Sequence, residues 1–334
     1  MTAVARPALL PLVPLYRLGL SLRELRLRLR LEKIRRLERP VVSIGSLSAG
    51  GAGKTPLTVA LAQTLLRRGL QVDVLSRGYG RRSSAPARVN PAGEAEDFGD
   101  EPLLIARETG APVYVAAQRY EAGLLAEAQS GGAPVIHLLD DGFQHRQLYR
   151  DVNILLLDEK DLSAEKLLPA GNLREPLAAM RRATVVAIPA GDGAASLESR
   201  LHAQGWQGPV WRIWRLVEAP LIEGSVLAFC GIARPAQFFA GLKSARLQVA
   251  RQLAFPDHYR YTARDLERIG LEMRAAGATA VVTTEKDRVR LGGMAANFPA
   301  EAPLHTAKLR VEIEDEDAAI TWLQKRITEA AARP

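Results

Sequence analysis

The sequence predicts an α/β fold, with a mostly parallel sheet flanked by helices and a second, smaller α/β domain joined to it by a β-strand linker. Three observations support this. A glycine-dense turn separates an apolar run from a helical pattern in residues 41–68. Short apolar runs then alternate with helical patterns, as in βαβ units. The same alternation resumes after residue 224.

The glycine-dense turn has the layout of a phosphate-binding loop. Glycines let backbone N–H groups wrap around phosphate oxygens, and the following helix directs its N-terminal dipole at the same anion. In this layout Lys54 reaches the β- and γ-phosphates and the Thr55 hydroxyl holds Mg²⁺. The sheet is therefore predicted to be of the P-loop NTPase type. The predicted nucleotide-binding residues are Ser48, Ala49, Gly50, Gly51, Ala52, Gly53, Lys54, Thr55 and Pro56.

The first domain is predicted to contain six strands and at least three helices. The strands are residues 41–44, 72–75, 113–115, 135–139, 153–157 and 184–188. Their apolar runs are continuous rather than alternating, as expected for strands that are covered on both faces. The helices are residues 56–68, 101–108 and 121–130.

A change of composition over residues 191–208, which are rich in Gly, Ala and polar residues, predicts a domain boundary. Residues 210–216 alternate apolar and basic side chains, which predicts a half-exposed linker strand. The second unit is predicted as strand 226–230, helix 235–242, a strand near 247–254, helix 263–276 and strand 279–283. The expected domains are a basic amphipathic N-terminal segment (1–38), a P-loop domain (39–208) and a second α/β domain with its linker strand (209–334).

Positive charge is concentrated near the N-terminus. The formal net charge is +8, and residues 17–39 carry nine Lys and Arg against three Glu, which leaves +6 in that segment. The remainder is close to neutral, which argues against a broad nucleic-acid-binding face. The single cysteine, Cys230, excludes intrachain disulfides and follows an apolar run, so a buried and inert thiol is expected.

No apolar run approaches the roughly 20 residues of a membrane span. Four leucines do share one helical face beside arginines: Leu18, Leu22, Leu25 and Leu29. This pattern predicts a helix that lies in a membrane interface. Leu27 and Leu31 fall on the other side, so the alternative is a helix that packs on the protein with a solvated basic face.

Two pairs of carboxylates are candidates for chemistry. Asp140 and Asp141 follow an apolar strand, at the sheet edge where the phosphate loop lies, and adjacent aspartates repel unless a cation neutralises them. The alternative is an ordinary Asp-Asp-Gly turn. Asp100 and Glu101 begin a predicted helix, where one can act as a general base and the other can hold Mg²⁺. The alternative is that both only stabilise the helix dipole.

Two other segments give weaker indications. Residues 76–82 follow the second strand, and their arginines and tyrosine suit an anionic or sugar ligand; the alternative is a solvated basic loop. His258 lies in a loop of the second domain, and nothing in its own peptide indicates catalysis.

Taken together, these motifs resemble the tetraacyldisaccharide 4′-kinase family, the lipid A 4′-kinases of Gram-negative bacteria. The matching segments are residues 50–56, 76–81, 99–102, 140–145, 168–176, 230–235, 255–259 and 284–287. They occur in order over nearly the whole chain. The family also lacks the first loop glycine, at the position where this chain has Ser48, whereas Asn172 stands where the family has proline.

The resemblance implies that MgATP donates its γ-phosphoryl group to the 4′-hydroxyl of an acylated glucosamine disaccharide 1-phosphate, in lipid A biosynthesis. It implies catalytic roles for Lys54, for Asp100 as the base and for His258 as its partner from the second domain. The implied metal shell is Thr55, Glu101, Asp140 and Asp141. The residues implied in binding the acceptor or the phosphates are Arg77, Tyr79, Arg119, Gln144, His145, Asn172 and Arg174.

An acceptor with several acyl chains stays in the bilayer, so the resemblance also implies peripheral attachment to the anionic cytoplasmic face of the bacterial inner membrane. Two alternatives remain open. One is a P-loop ATPase or GTPase that acts as a switch or metallochaperone, since residues 284–287 weakly resemble a guanine-binding pattern. The other is a peripheral membrane protein that uses nucleotide only structurally.

Overall fold

The computed structural model describes residues 6–163, 166–298 and 302–331. In these ranges the strands are β1 (Val41–Ser46), β2 (Gln71–Ser76), β3 (Ala87–Arg88), β4 (Val113–Val115), β5 (Val135–Leu139), β6 (Val152–Leu156), β7 (Val185–Pro189), β8 (Val210–Glu218), β9 (Ser225–Cys230), β10 (Gln248–Ala254), β11 (Ala280–Thr284) and β12 (Leu304–Ile313). They form one sheet in the order β10-β9-β11-β12-β8-β7-β6-β1-β5-β2-β4-β3.

Helices cover both faces of this sheet. The α-helices are α1 (Val13–Arg28), α2 (Lys54–Arg67), α3 (Ala95–Phe98), α4 (Asp100–Thr109), α5 (Arg119–Gln129), α6 (Glu159–Ser163), α7 (Ala194–Ala203), α8 (Pro235–Ser244), α9 (Ala263–Ala275), α10 (Glu285–Leu291) and α11 (Glu316–Ala331). Short 3₁₀ helices occupy Pro7–Leu12, Leu177–Arg182 and Gly292–Asn297. Among the described helices, none has the length and apolar character needed to cross a membrane.

The two longest strands, β8 and β12, join the two halves of the sheet as an antiparallel ribbon. Ile213 pairs with Ile313 at one end of the ribbon and Glu218 with Lys308 at the other. β8 is parallel to β7 and so to the first half, whereas β12 is parallel to β11 and so to the second half. The two halves therefore run in opposite directions. They are also offset along the ribbon, because β7 pairs with residues 210–213 of β8 and β11 with residues 304–307 of β12. The carboxyl ends of their strands consequently face each other across a cleft.

The core of the first half forms where α2 packs on the central strands. Leu57, Leu61 and Leu65 recur at four-residue spacing along α2 and are buried in the same cluster as Ile44 of β1. This spacing places them on one helical face. The C-terminal helix α11 adds Leu323 to this cluster, so the end of the chain returns to the first half after the second half is complete.

The segment 191–208, predicted as a boundary region, contains a helix that was not predicted. It contains α7, and Leu197 and Leu201 of that helix are buried in a core cluster with Leu155 of β6. The flanking glycines obscured a helix that has only one pair of apolar residues at four-residue spacing. β12 and α11 were not predicted either. Cys230 is buried as expected, and burial raises the pKa of its thiol to about 12.

Candidate active site

A cleft of about 1310 Å³ lies between the facing edges of the two halves. It brings together most of the predicted site residues. From the first half these are residues 49–56 with Arg77, Tyr79, Asp100, Glu101, Arg119, Asp140, Asp141, Gln144, His145 and Arg174, and from the second half His258. The ribbon contributes Arg215 and Lys308 to the wall between them.

The phosphate loop joins the end of β1 to the start of α2. Gly50, Gly51 and Gly53 have φ angles of 71°, 63° and 86°, which glycine adopts without steric cost. A Cβ on Gly51 would lie 2.6 Å from Arg234 Cδ, so the loop also needs glycine there to admit a side chain from the second half. The loop and the N-terminus of α2 thus form a backbone cradle that fits a phosphate chain.

The side chain of Lys54 is nearly buried beside this loop. Its Nζ lies 3.6 Å from Asp141 Oδ1 and donates to Ser46 Oγ at 3.4 Å. Burial lowers the pKa of Lys54, and the charge of Asp141 opposes that effect. A phosphate bound in the loop would therefore replace the 3.6 Å contact between Lys54 and Asp141. Its negative charge would also stabilise the Lys54 ammonium, which burial destabilises.

Ser48 and Asn172 are placed at the root of the loop rather than on the wall of the cleft. Ser48 is buried, and its carbonyl accepts a hydrogen bond from Ser46 Oγ at 2.8 Å. The Asn172 carbonyl accepts a hydrogen bond from Ala49 N at 2.8 Å, while its side chain is exposed. Their contribution to the loop is made through the backbone.

Asp140 and Asp141 sit at the end of β5, opposite the loop. Asp140 Oδ1 accepts a hydrogen bond from Thr58 Oγ1 at 3.0 Å. Burial and the charges of Glu101 and Asp141 raise the pKa of Asp140 to about 7. Asp141 has a φ angle of 47° and accepts from Arg174 Nη1 at 2.9 Å.

This donor set fits Mg²⁺ that is held jointly with nucleotide phosphates. A buried carboxylate with a raised pKa is relieved by a divalent cation, and the ligands are hard oxygens. Within the described ranges there is no group of three or more His, Cys, Asp or Glu side chains that could hold a metal by itself. A magnesium shell completed by phosphates and water does not require such a group.

Asp100 is the first residue of α4 and is contacted from the second half. Its Oδ2 accepts from Arg290 Nε at 2.8 Å and lies 3.2 Å from His258 Nδ1, while its Oδ1 accepts from the Glu101 backbone N–H at 3.0 Å. Burial on its own would raise the pKa of Asp100. The hydrogen bond from His258 and the charges of Arg290 and Lys286 outweigh burial and hold the pKa well below its usual range.

His258 and Lys286 complete this contact between the halves. His258 has a φ angle of 58°, and the hydrogen bond to Asp100 raises the pKa of its imidazole. The Tyr79 ring lies 5.5 Å from the imidazole, centroid to centroid. Lys286 forms an ion pair with Glu101, and its charge lowers the pKa of that carboxyl. The structure therefore brings the predicted base and its predicted partner into direct contact.

The opposite wall of the cleft is positively charged. Gln144 donates to the Ser46 carbonyl at 3.0 Å and accepts from Arg174 at 3.1 Å. Burial and neighbouring arginines, Arg119 first among them, lower the pKa of His145 to about 3. Burial lowers the pKa of Arg119 to about 10, and its Nε is buried with no hydrogen-bond partner among the described residues. This wall suits an anionic group.

Sequence reasoning missed several basic residues that reach the site. Lys286 and Arg290 lie on α10, a seven-residue helix too short to predict from periodicity. Arg215 of β8 donates to the Ala52 carbonyl of the loop at 2.6 Å, and Arg234 donates to Asp158 at 2.7 Å. The alternation of apolar and basic residues in the linker strand was the available indication for Arg215.

The segment 284–287 is not arranged as a guanine-binding pattern. Thr284 caps α10, accepting from Asp287 N at 3.1 Å, and Asp287 is fully buried. The Asp287 carboxylate accepts from Tyr261 Oη at 3.0 Å and from Gly231 N at 3.1 Å, so it has no free edge for a base.

Comparisons with known proteins agree with the motifs. The family model described as tetraacyldisaccharide-1-P 4′-kinase matches residues 5–328. The tetraacyldisaccharide 4′-kinases of Koribacter versatilis and Pelobacter propionicus are 42% and 41% identical to this chain, over 95% and 86% of it and 98% and 83% of their own lengths. The crystal structure of "apo" form LpxK from Aquifex aeolicus in complex with ATP is similar with a TM-score of 0.73 and 32% identity, covering 96% of this chain and 99% of that one.

These similarities confirm both the predicted fold class and the resemblance found in the motifs. The roles of individual site residues and the three-part division of the chain stay predictions. The matches extend over nearly the whole chain rather than over the phosphate loop alone. The chain therefore belongs to the tetraacyldisaccharide 4′-kinase family.

Proposed function

We propose that this protein transfers the γ-phosphoryl group of ATP to the 4′-hydroxyl of an acylated glucosamine disaccharide 1-phosphate, with Mg²⁺ as cofactor, in lipid A biosynthesis. One observation carries the assignment of the site. Asp100 Oδ2 of the first half lies 3.2 Å from His258 Nδ1 of the second half, in the cleft that the phosphate loop lines. A nucleotide switch without an acceptor needs no such pair beside its phosphate site.

The phosphate loop and Lys54 bind the triphosphate in this proposal. Thr55, Asp140, Asp141 and Glu101 would hold Mg²⁺, which when bound neutralises charge on the phosphoryl oxygens. Phosphoryl transfer passes through a loose transition state, so most of the catalysis comes from positioning and charge neutralisation. Lys54 and the backbone N–H groups of the loop supply both for the β- and γ-phosphates.

Asp100 acts as the base that receives the proton of the sugar hydroxyl. Its low pKa keeps it ionised at neutral pH. In a loose transition state the proton leaves late, so the orientation of the carboxylate matters more than its basicity. Oδ2 is engaged by Arg290 and His258, whereas Oδ1 accepts only the Glu101 N–H among the described residues. Oδ1 is thus the oxygen that faces the reaction.

The positively charged wall binds the acceptor. Arg77, Tyr79, Arg119, Gln144, His145 and Arg174 line the cleft there, and their charge matches an anionic sugar lipid. Asn172 contributes by holding the loop at Ala49. In this proposal, closure of the cleft between the two halves would exclude water from the reaction.

Peripheral attachment to the anionic cytoplasmic face of the inner membrane is supported by α1. Leu18, Leu22, Leu25 and Leu29 are between 50% and 59% exposed, whereas Leu27 is buried. The helix is tied to the site, because Tyr16 Oη donates to the Arg174 carbonyl at 2.9 Å. An exposed leucine face beside basic residues, next to the acceptor wall, fits an enzyme that takes its substrate from a bilayer.

The reaction is tested by transfer of labelled phosphate from ATP to an acylated glucosamine disaccharide 1-phosphate in detergent micelles. Wild type should yield a labelled bis-phosphorylated lipid, and Asp100→Ala should lower turnover by about 10³-fold or more, as loss of a base and its network does. Asp97→Ala is the matched control, since Asp97 is exposed on the preceding helix. Phosphate release without labelled lipid, or a wild-type rate in Asp100→Ala, would contradict the assignment.

A further inference from the structure

Helix α10 brings two basic side chains from the second half onto the two adjacent carboxylates that begin α4. Lys286 and Arg290 are four residues apart and therefore share one helical face. Lys286 pairs with Glu101, and Arg290 pairs with Asp100. Only 7% of the Arg290 side chain is exposed, so its charge is matched by protein groups rather than by water.

The guanidinium of Arg290 is engaged on every nitrogen. Its Nε and Nη2 lie 2.8 Å and 2.6 Å from Asp100 Oδ2, and Nη2 lies 3.3 Å from His258 Nδ1. Its Nη1 donates to Asp287 Oδ1 at 3.0 Å and to the Gly231 carbonyl. One planar group thus spans from the second half's own backbone to Asp100.

The anchor of Arg290 is itself fixed. Asp287 is fully buried and accepts hydrogen bonds from Tyr261 Oη at 3.0 Å, Gly231 N at 3.1 Å and Thr284 Oγ1 at 2.6 Å. Arg290 Nη1 is the fourth donor to this carboxylate. The four hydrogen bonds restrict rotation of the Asp287 side chain and of the guanidinium paired with it. The geometry of the guanidinium is therefore set before Asp100 meets it.

We propose that Arg290 is a positioning residue for phosphoryl transfer: it holds Asp100 Oδ2 against His258 and so directs Asp100 Oδ1 at the acceptor hydroxyl. The inference rests on the proposed role of Asp100. An arginine fork suits this task, because its donors lie in one plane at fixed angles and a lysine ammonium offers only a point charge. A purely structural alternative is that Arg290 only ties the two halves together.

A double-mutant cycle separates the two roles. The variants are Arg290→Ala, Arg290→Lys, Asp100→Asn and the double variant Asp100→Asn/Arg290→Ala. Arg288→Ala is the matched control, since Arg288 is an exposed arginine on the same helix. Each is assayed for kcat and KM for ATP and for the disaccharide lipid in micelles, for ATP affinity by calorimetric titration, and for thermal unfolding.

Positioning predicts a kcat effect that acts through Asp100. Arg290→Ala should lower kcat by about 100-fold with the affinity for ATP nearly unchanged, because misplacing a reacting group costs rate rather than ground-state binding. In the Asp100→Asn background the same change should cause no further loss. Arg290→Lys keeps the charge and should melt like wild type, yet lose about tenfold in kcat. Arg288→Ala should resemble wild type throughout.

Three outcomes would overturn the inference. Wild-type kcat in Arg290→Lys would do so even if Arg290→Ala fails to fold. An equal loss from Arg290→Ala in both backgrounds would show a structural role that does not pass through Asp100. A wild-type rate in Asp100→Asn would instead remove the proposed base, and the inference with it. The last result is distinguished from the others because it appears without any change at Arg290.

Discussion

At the scale of single residues, the site depends on positions where a side chain would block a neighbour from the other half. Gly51 is such a position, because its φ angle of 63° disfavours any Cβ and Arg234 packs on it. Gly69 has a similar φ angle of 76° at the end of α2, but a Cβ there would meet nothing within 4 Å. Substituting alanine at both positions therefore distinguishes two effects. Backbone strain is common to both glycines, whereas close contact with Arg234 occurs only at Gly51.

We therefore expect Gly51→Ala to lower the affinity for ATP by about tenfold or more, since the loop must shift away from its cradle geometry. Both Gly51→Ala and Gly69→Ala should lose about 1–2 kcal/mol of unfolding free energy, because each forces a left-handed alanine. Calorimetric titration with ATP and chemical denaturation measure the two effects. Normal ATP affinity in Gly51→Ala would refute this account. So would a loss of ATP affinity in Gly69→Ala as large as that in Gly51→Ala.

At the scale of one element, β5 combines a buried charge cluster with the acidic residues of the site. His137 is fully buried, its Nδ1 lies 2.7 Å from Asp73 Oδ1 of β2 and its Nε2 lies 3.5 Å from Glu127 Oε1 of α5. Burial on its own would lower the pKa of His137, but the hydrogen bond to Asp73 and the nearby Glu127 carboxylate outweigh it and raise the pKa to about 9. The strand that leads directly into Asp140 is thus held by an imidazolium between two acids.

This cluster predicts a pH dependence of stability. A pKa raised in the folded state contributes stability that is complete below the unfolded pKa of about 6.5 and is lost as pH rises through about 9. The unfolding free energy of wild type should fall over that window by on the order of 2 kcal/mol more than that of His137→Asn. Urea denaturation at several pH values tests this.

His202→Gln is the control for replacing a histidine elsewhere in the fold, since the His202 side chain is 47% exposed. It should keep the slope of wild type between pH 6.5 and pH 9. If His137→Asn also keeps that slope, the buried imidazolium is not the cause.

At the scale of the whole molecule, the reversal of strand direction at the β8–β12 ribbon creates the site. β11 and β12 are antiparallel to β8, and β11 pairs with the part of the ribbon that lies beyond the end of β7. The loops after β9, β10 and β11 therefore point back toward the phosphate loop. His258 and α10 reach Asp100 for this reason. The positively charged wall of the same cleft is bordered by α1, whose leucine face is exposed.

The exposed face of α1 predicts reversible membrane binding. Leu18→Gln/Leu22→Gln/Leu25→Gln should weaken sedimentation with anionic phospholipid vesicles by at least about tenfold, since each leucine contributes apolar burial in the interface. Turnover on detergent-dispersed acceptor should change little. Leu221→Gln/Leu271→Gln is the matched control, because both leucines are exposed away from α1. Unchanged vesicle binding by the triple variant would rule out α1 as the membrane contact.

Features that depend on neighbouring residues in the chain were predictable. The phosphate loop, the strand before it and the helix after it follow from local glycine content and apolar periodicity, and β4 and β5 match their predicted bounds. Helical spacing separated Leu27 from the exposed leucines, and Leu27 is buried. Leu31, which the same spacing placed with Leu27, lies after the end of α1 and is exposed. The family motifs identified Asp100 and His258 as candidates, although they are 158 residues apart in sequence.

Local sequence was enough to specify the phosphate loop, most strands of the first half and the basic leucine-rich N-terminus, because each depends on conformational preferences within a few residues. The remaining features depend on contacts between distant segments. The opposed directions of the two halves, the return of α11 to the first core and the contact of Arg290 with Asp100 depend on strand pairing between distant segments. Such pairing is set by the burial of whole faces, which no local pattern of residues specifies.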